Sequence, residues 1–320
     1  MMNIKSVAVL GAGAVGSYVI WGLSRKKDIR LGVVAEGERA ERLKKDGCRI
    51  NDEVYRPEVW SPQEAKDVDL LIVSLKYGSL PGALESIKTI AGEHTTVMSL
   101  MNGVDSEELI AEQIGDDRVL RSLIKVASHK EENGYYFNPE TTLGIIFGEL
   151  KAPFDSERVQ AIESLFADTG IHFRSTEFIR EEIWGKFRLN VCNNLPQAIL
   201  GAGVGCYSDS THMKAISDGL RRELEQIALA KGIDMSKLAA TSGRGSAVPA
   251  SARYSTLQDL DAGRHTEIDM FSGALIRMGE ELGIPTPYNE YTYHMIKALE
   301  EKNDGLFDYQ GERDKTTWAK

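Results

Sequence analysis

The apolar run Val7-Ala-Val-Leu10 ends directly in Gly11-Ala12-Gly13-Ala14-Val15-Gly16, and a helical pattern follows. A short strand, a glycine loop and a helix in that order constrain the chain to open with a βαβ unit. Gly11 permits the tight turn, Gly13 lets a pyrophosphate approach the backbone, and Gly16 lets helix and strand pack closely. The N-terminus of the helix then offers unpaired N–H groups to an anion. The bland alternative is a tight turn with no ligand, but the strand before it and the helix after it favour nucleotide binding.

The rest of the first half keeps the same rhythm. Leu31–Ala35, Val68–Leu75 and Thr96–Leu100 are short apolar runs without alternation, as expected of strands buried on both faces of a parallel sheet. Helical patterns fit between them, near 14–26, 37–46, 79–91 and 104–114. Around Glu132-Asn-Gly134 the pattern changes to a hairpin, with aromatic residues at 135–137 and then Leu143–Phe147, so antiparallel strands should close the sheet. After about residue 178 β-runs nearly vanish. Phe178–Leu200, Met213–Lys231, Ile268–Leu282 and Asn289–Glu300 have helical spacing, with Gly232 and Gly283 where helix ends are expected. The expected fold class is therefore α/β. A doubly wound sheet of the Rossmann type spans 1–177, and an all-helical domain spans 178–320. The polar tail from Glu301 should be loosely held.

Composition narrows the partners. With 48 Asp+Glu against 38 Lys+Arg the chain has a net charge of −10, which argues against a nucleic-acid footprint but not against a small anion. Cys48, Cys192 and Cys206 are widely spaced and the histidines are scattered, so neither a disulfide framework nor a metal site is expected, and a reducing, cytoplasmic location is the default. Ser6–Ser24 is uncharged, yet its glycines interrupt any signal peptide or membrane span. Leu189–Ser208 is also uncharged but carries Asn190, Asn193, Asn194, Pro196 and Gln197, which suit the wall of a polar cleft better than lipid.

Three groups of residues carry candidate chemistry. Glu36 lies 20 residues after Gly16, where an acid can bond the adenosine ribose hydroxyls and favour NAD. Arg39 and Arg42 follow and can hold a 2′-phosphate, favouring NADP; a solvated helix start also accounts for all three. Lys186, Asn190 and Asn194 are spaced i, i+4 and i+8, within about 80° on a regular helix, with Asn193 nearby. A lysine and several amides without acidic neighbours are poor at packing and good at holding a polar ligand. Thr266-Glu267 resembles a helix start, where capping and a functional role fit the glutamate equally.

These features together resemble the ketopantoate reductase (2-dehydropantoate 2-reductase) family over about residues 3–300. The resemblance rests on the glycine loop, Ser74-Leu-Lys76, Met101-Asn102-Gly103, Trp184-x-Lys186-x-x-x-Asn190-x-x-x-Asn194 and Ser255-x-x-Gln-Asp259 followed by Gly-Arg-x-Thr-Glu267-Ile-Asp269. It implies NADPH-dependent reduction of a branched 2-keto acid to its 2-hydroxy acid, supplying pantoate for pantothenate and coenzyme A. It implies that Lys186 is the general acid and that Glu267 holds Lys186 or the substrate hydroxyl. Asn190 and Asn194 would bind substrate polar groups, and Ser255 the carboxylate. Asn102 would lie by the nicotinamide ribose and Lys76 beside nicotinamide and substrate, in a crevice between the two domains. A homodimer is compatible with this reading. The chain departs from the family pattern at Glu36, where a basic residue is common, and at Ala252, Tyr254 and Thr256. These departures leave open NADH as cofactor and a different 2-keto acid as substrate. A dinucleotide-binding sensor without turnover is the alternative of another class.

Overall fold

The structure is a computed structural model that describes residues 2–131, 134–238 and 249–307. Among these residues the chain divides into two compact units. The first holds the chain up to Gly185 together with 236–238; the second holds Lys186–Met235 and 249–307.

The first unit is built on an eight-stranded sheet. In chain order its early elements are β1 (Ser6–Leu10), α1 (Ala14–Leu23), β2 (Arg30–Val34) and α2 (Gly37–Asp46). Next come β3 (Cys48–Ile50), β4 (Glu53–Tyr55), β5 (Glu58–Trp60), β6 (Leu70–Val73), α3 (Leu80–Ile90), β7 (Thr96–Ser99) and α4 (Ser106–Ile114). The unit continues with β8 (Val119–Lys125), β9 (Ser128–Glu131), β10 (Gly134–Phe137), β11 (Gly144–Gly148), α5 (Glu157–Phe166), β12 (Phe173–Ser175) and α6 (Ile179–Leu189). The sheet order is β12-β11-β8-β7-β6-β1-β2-β5. Strands β5 to β8 run parallel to β1, whereas β11 is antiparallel to β8 and parallel to β12. The chain leaves β1 towards β2 and β5, then returns to β6 on the other side. That reversal puts a topological switch point between the carboxyl ends of β1 and β6.

Alternation along the strands explains why both faces are covered. Val7, Val9, Leu70, Ile72 and Met98 join one apolar cluster with Tyr18, Leu23 and Phe166 of α1 and α5. Ala8, Leu10, Leu71, Val73 and Val97 join the other, with Leu80, Ile87, Ile110 and Ile114 of α3 and α4. Each fully buried aliphatic side chain contributes roughly 1.5–3 kcal/mol, so strand residues on both faces hold the layers together.

The expected hairpin forms, as β9 pairing antiparallel with β10, but it does not extend the main sheet. It joins a second sheet of order β4-β3-β10-β9, which packs on α1 through Phe137, whose ring meets Tyr18 edge-on at 5.1 Å. The large aromatic side chain is buried there rather than at a sheet edge. Glu132 and Asn133 of the expected turn, and the tail beyond Phe307, lie outside the described residues.

In the second unit α6 ends and a wide π-type turn follows over Asn190–Asn194, leading into α7 (Leu195–Leu200), α8 (Cys206–Asp209) and α9 (Thr211–Ala230). Then come α10 (Ser255–Asp261), α11 (Ser272–Leu282) and α12 (Pro287–Asn303). Two expectations change here. The helix expected from Ile268 starts at Ser272, because the buried Glu300 carboxylate accepts the Thr266 N–H at 2.7 Å and its hydroxyl at 2.6 Å, holding 266–271 as a turn. The tail expected from Glu301 begins as helix, and Asn303 Nδ2 donates to the Leu260 carbonyl at 2.9 Å. No described helix is long and apolar enough to cross a membrane.

Candidate functional site

In the first unit, the loop after β1 is locked against the loop after β6. The Ser74 N–H donates to the Leu10 carbonyl at 2.9 Å, and Ser74 Oγ donates to the Gly11 carbonyl at 2.6 Å. Gly11 has φ +109°, and a Cβ there would stand 2.6 Å from the Ser74 carbonyl oxygen. A Cβ on Gly16 would stand 1.9 Å from the Gly11 oxygen, so the helix can sit this close only with glycine. By contrast, a Cβ on Gly13 would meet nothing within 4 Å. Gly13 is the N-cap of α1 and has no side chain to satisfy the first N–H groups of that helix, beside which Ala12, Ala14 and Val15 are half-buried. These features fit a dinucleotide pyrophosphate.

Beside this loop is a cavity of about 220 Å³, whose wall includes Leu10, Val34, Glu36, Arg39, Leu75 and Ser79. Glu36 immediately precedes α2 and Arg39 lies in its first turn. Both are exposed, so a carboxylate and a guanidinium share one rim; Arg42 does not line it. Lys76 is exposed just past β6, and Asn102 is half-buried just past β7. Tyr77 donates its hydroxyl to Asp105 at 2.6 Å and thereby ties the loops carrying these two residues together.

In the second unit, half-buried Lys186 lies on the last turn of α6. The regular helix expected to align it with Asn190 and Asn194 instead widens into the π-type turn. The cause is Pro196, which has no N–H for the Cys192 carbonyl and crowds it. Asn190 and Asn194 remain neighbours, with Asn194 Nδ2 donating to Asn190 Oδ1 at 3.3 Å. Both are buried, and Asn190 Nδ2 and Asn194 Oδ1 have no hydrogen-bond partner among the described residues. Exchanging O and N in both amides still leaves a donor and an acceptor unpaired. Cys192 in the same turn is buried, which pushes its thiol up to about 12 and keeps it protonated at neutral pH.

Helix α10 packs on the wide turn and on α7, and exposed Ser255 is its first residue. Gln197 of α7 aligns them: its Oε1 accepts the Tyr254 N–H at 2.9 Å and its Nε2 donates to the Ala252 carbonyl at 2.8 Å. Glu267 is half-buried in the turn pinned by Glu300. Phe187, next to Lys186, and Phe271, four residues past Glu267, have ring centroids 6.4 Å apart, which brings that turn to the end of α6. Sequence reasoning missed Tyr207, whose hydroxyl donates to the Asn193 carbonyl of the wide turn, Gln197 as a strut, and Glu300. Pro196 within a helical run was the available signal for the first two; nothing local marks the third. No group of three metal-ligating side chains occurs among the described residues.

Residues 7–151 match the family model "Ketopantoate reductase PanE/ApbA", and residues 178–300 match its C-terminal counterpart. The chain belongs to the ketopantoate reductase PanE/ApbA family. This is an oxidoreductase family. The 2-dehydropantoate 2-reductase of Aquifex aeolicus is 24% identical over 309 residues, 93% of this chain and 97% of the relative. Among solved structures, a PanE/ApbA family ketopantoate reductase from Ralstonia eutropha aligns with TM-score 0.77 at 23% identity, over 94% of this chain and 100% of the other. D-mandelate dehydrogenase with NADH and anilino(oxo)acetate aligns with TM-score 0.80 at 20% identity, over 94% and 99%. At these identities the structural likenesses establish that the ketopantoate reductase fold is shared.

Proposed function

We propose that this protein reduces 2-dehydropantoate to pantoate with NADPH, a step that feeds pantothenate and coenzyme A synthesis in the cytoplasm. The observation that carries the reading is the buried amide pair, Asn190 and Asn194, four and eight residues after Lys186, with a donor and an acceptor left unpaired among the described residues. An unsatisfied buried polar group costs about 1–3 kcal/mol, which a polar substrate would relieve.

When bound, the nicotinamide supplies the hydride. The chain supplies the rest. In this reading residues 1–177 hold the dinucleotide and 178–320 the keto acid. The Lys186 ammonium donates a proton to the ketone oxygen and stabilises the charge developing there. Glu267 orients Lys186 or the substrate hydroxyl. Asn190 and Asn194 hold the substrate's polar groups, and Ser255 its carboxylate. Gly11–Gly16 cradle the pyrophosphate, Arg39 holds the 2′-phosphate at the rim shared with Glu36, and Asn102 and Lys76 border the nicotinamide end.

A reductase of another 2-keto acid is the second reading. It is favoured by Tyr254 and Thr256 beside Ser255, where the family's pattern differs. Steady-state assays with NADPH and NADH against a panel of 2-keto acids test both. Turnover fastest with 2-dehydropantoate supports the first reading; 2-dehydropantoate among the poorest substrates overturns it. Sedimentation of the same preparation tests whether the working form is a homodimer.

A further inference from the structure

The wide turn that carries the two asparagines is held open by a side chain from outside the helix. In an unbroken α-helix the Gln197 N–H would bond the Asn193 carbonyl. Here it donates instead to Tyr207 Oη at 3.1 Å, and the Tyr207 hydroxyl donates to the Asn193 carbonyl. The phenol has entered the ladder and completes both broken ends, a recognised cause of local helix distortion. Its burial raises the phenol's pKa, so it keeps the proton that it donates.

We propose that Tyr207 is a positioning residue for substrate. Its hydroxyl fixes the wide turn and thereby sets where Asn190 and Asn194 present their unpaired amide atoms. The inference rests on the reading of those amides as a substrate site. Pro196 removes the N–H that would close a regular turn, Tyr207 satisfies the carbonyl and amide left over, and Asn194 comes to rest 3.3 Å from Asn190. The same strut extends further, since Gln197 binds both Tyr254 and Ala252 through its side chain. The phenol therefore sets the amides and the start of α10, where Ser255 lies, as one assembly. Pro196 alone would break the helix without fixing where the next residues go.

The test is Tyr207→Phe in the full-length enzyme, assayed with NADPH and the 2-keto acid that the unaltered protein turns over fastest. KM for the keto acid should rise about tenfold, the effect of losing one well-placed hydrogen bond, while kcat stays within about threefold and KM for NADPH is unchanged. A lower melting temperature with an unchanged keto-acid KM would overturn the inference and assign the hydroxyl to stability alone. Pro196→Ala supplies a second arm. It restores the missing N–H, allows a regular turn, and should raise the same KM even if the phenylalanine variant folds poorly; an unchanged KM counts against the inference. Amide hydrogen exchange needs no substrate. In Tyr207→Phe the Gln197 amide should exchange at least about tenfold faster or shift to a new helical bond, and an unaltered amide overturns the proposal. An unaltered protein that turns over no 2-keto acid would sink the functional reading, while the exchange result would still decide whether Tyr207 holds the turn.

Discussion

Asn194 donates its side-chain amide to Asn190 across the wide turn at 3.3 Å, and the remaining Nδ2 of Asn190 and Oδ1 of Asn194 are buried without partners among the described residues. In the proposed reading, removing either amide takes away substrate contacts while the helices keep their apolar packing. Asn194→Ala should raise KM for the keto acid by about 5- to 100-fold, the range for one or two buried hydrogen bonds. Steady-state kinetics at saturating cofactor check this, and an unchanged KM would take the substrate away from this turn.

Lys186→Ala should lower kcat by on the order of 10²-fold or more, the usual scale for a general acid, with KM for NADPH unchanged. A near-normal kcat in that variant would remove the lysine from proton transfer.

The glycine loop separates into positions that differ in kind. At Gly13 an added Cβ meets open space, so Gly13→Ala should keep its melting temperature and weaken dinucleotide binding at least about tenfold. At Gly16 the added Cβ would stand 1.9 Å from the Gly11 oxygen, so Gly16→Ala should lose both stability and binding. Overpacking of that kind costs about 1–3 kcal/mol, or several degrees of melting temperature. Calorimetry of both variants with and without NADPH separates the two roles. Equal stability in the two variants would refute the distinction.

Cofactor choice should follow the rim of the cavity beside α2. Arg39→Ala should raise KM for NADPH about tenfold and leave NADH nearly unaffected, because only the former has a 2′-phosphate to hold. Parallel titrations of NADPH and NADH check it, and equal effects on both would show that the guanidinium does not discriminate.

A buried carboxyl in the first turn of α4 gives a pH signature. Burial raises the Glu107 pKa, although its oxygens accept from the Ser122 N–H at 3.3 Å and the Ser106 hydroxyl at 3.1 Å. The folded state therefore binds this proton more tightly than the unfolded chain. Its stabilising contribution is present below the unfolded pKa of about 4.3 and is lost as pH rises through the higher folded value. Glu107→Gln keeps the shape and avoids the charge. Its melting temperature relative to the unaltered protein should rise on going from pH 5 to pH 8; a difference independent of pH would contradict the assignment.

The doubly wound sheet was legible because Val7–Leu10 and Leu70–Val73 are uninterrupted apolar runs, and both faces are indeed covered. The glycine loop was legible from its spacing after the strand: Gly16 answers a steric demand from Gly11 within the loop and Gly11 one from Ser74 on the neighbouring strand's loop, whereas Gly13 meets no protein atom. The wide turn was not. Helical spacing from Lys186 to Asn194 looks the same whether or not a tyrosine thirteen or more residues away enters the ladder, and only Pro196 hints at the break. The turn carrying Glu267 was misread as a helix start because Thr-Glu is a good cap in isolation. Glu300, 34 residues on, supplies the competing partner for Thr266. The hairpin was read correctly as a local unit, but its docking on α1 depends on Phe137 reaching Tyr18, a contact no window of sequence contains.

Helix α2 is held to the body of the first unit with Ala40 as its one buried residue, and Glu36 and Arg39 lie in solvent at its front. Side chains with so few obligations can be exchanged without disturbing the folding of the sheet beneath. With cofactor choice resting on these two side chains, as proposed, a lineage using this scaffold can move from one cellular pool of reducing equivalents to another by surface edits that the interior never registers.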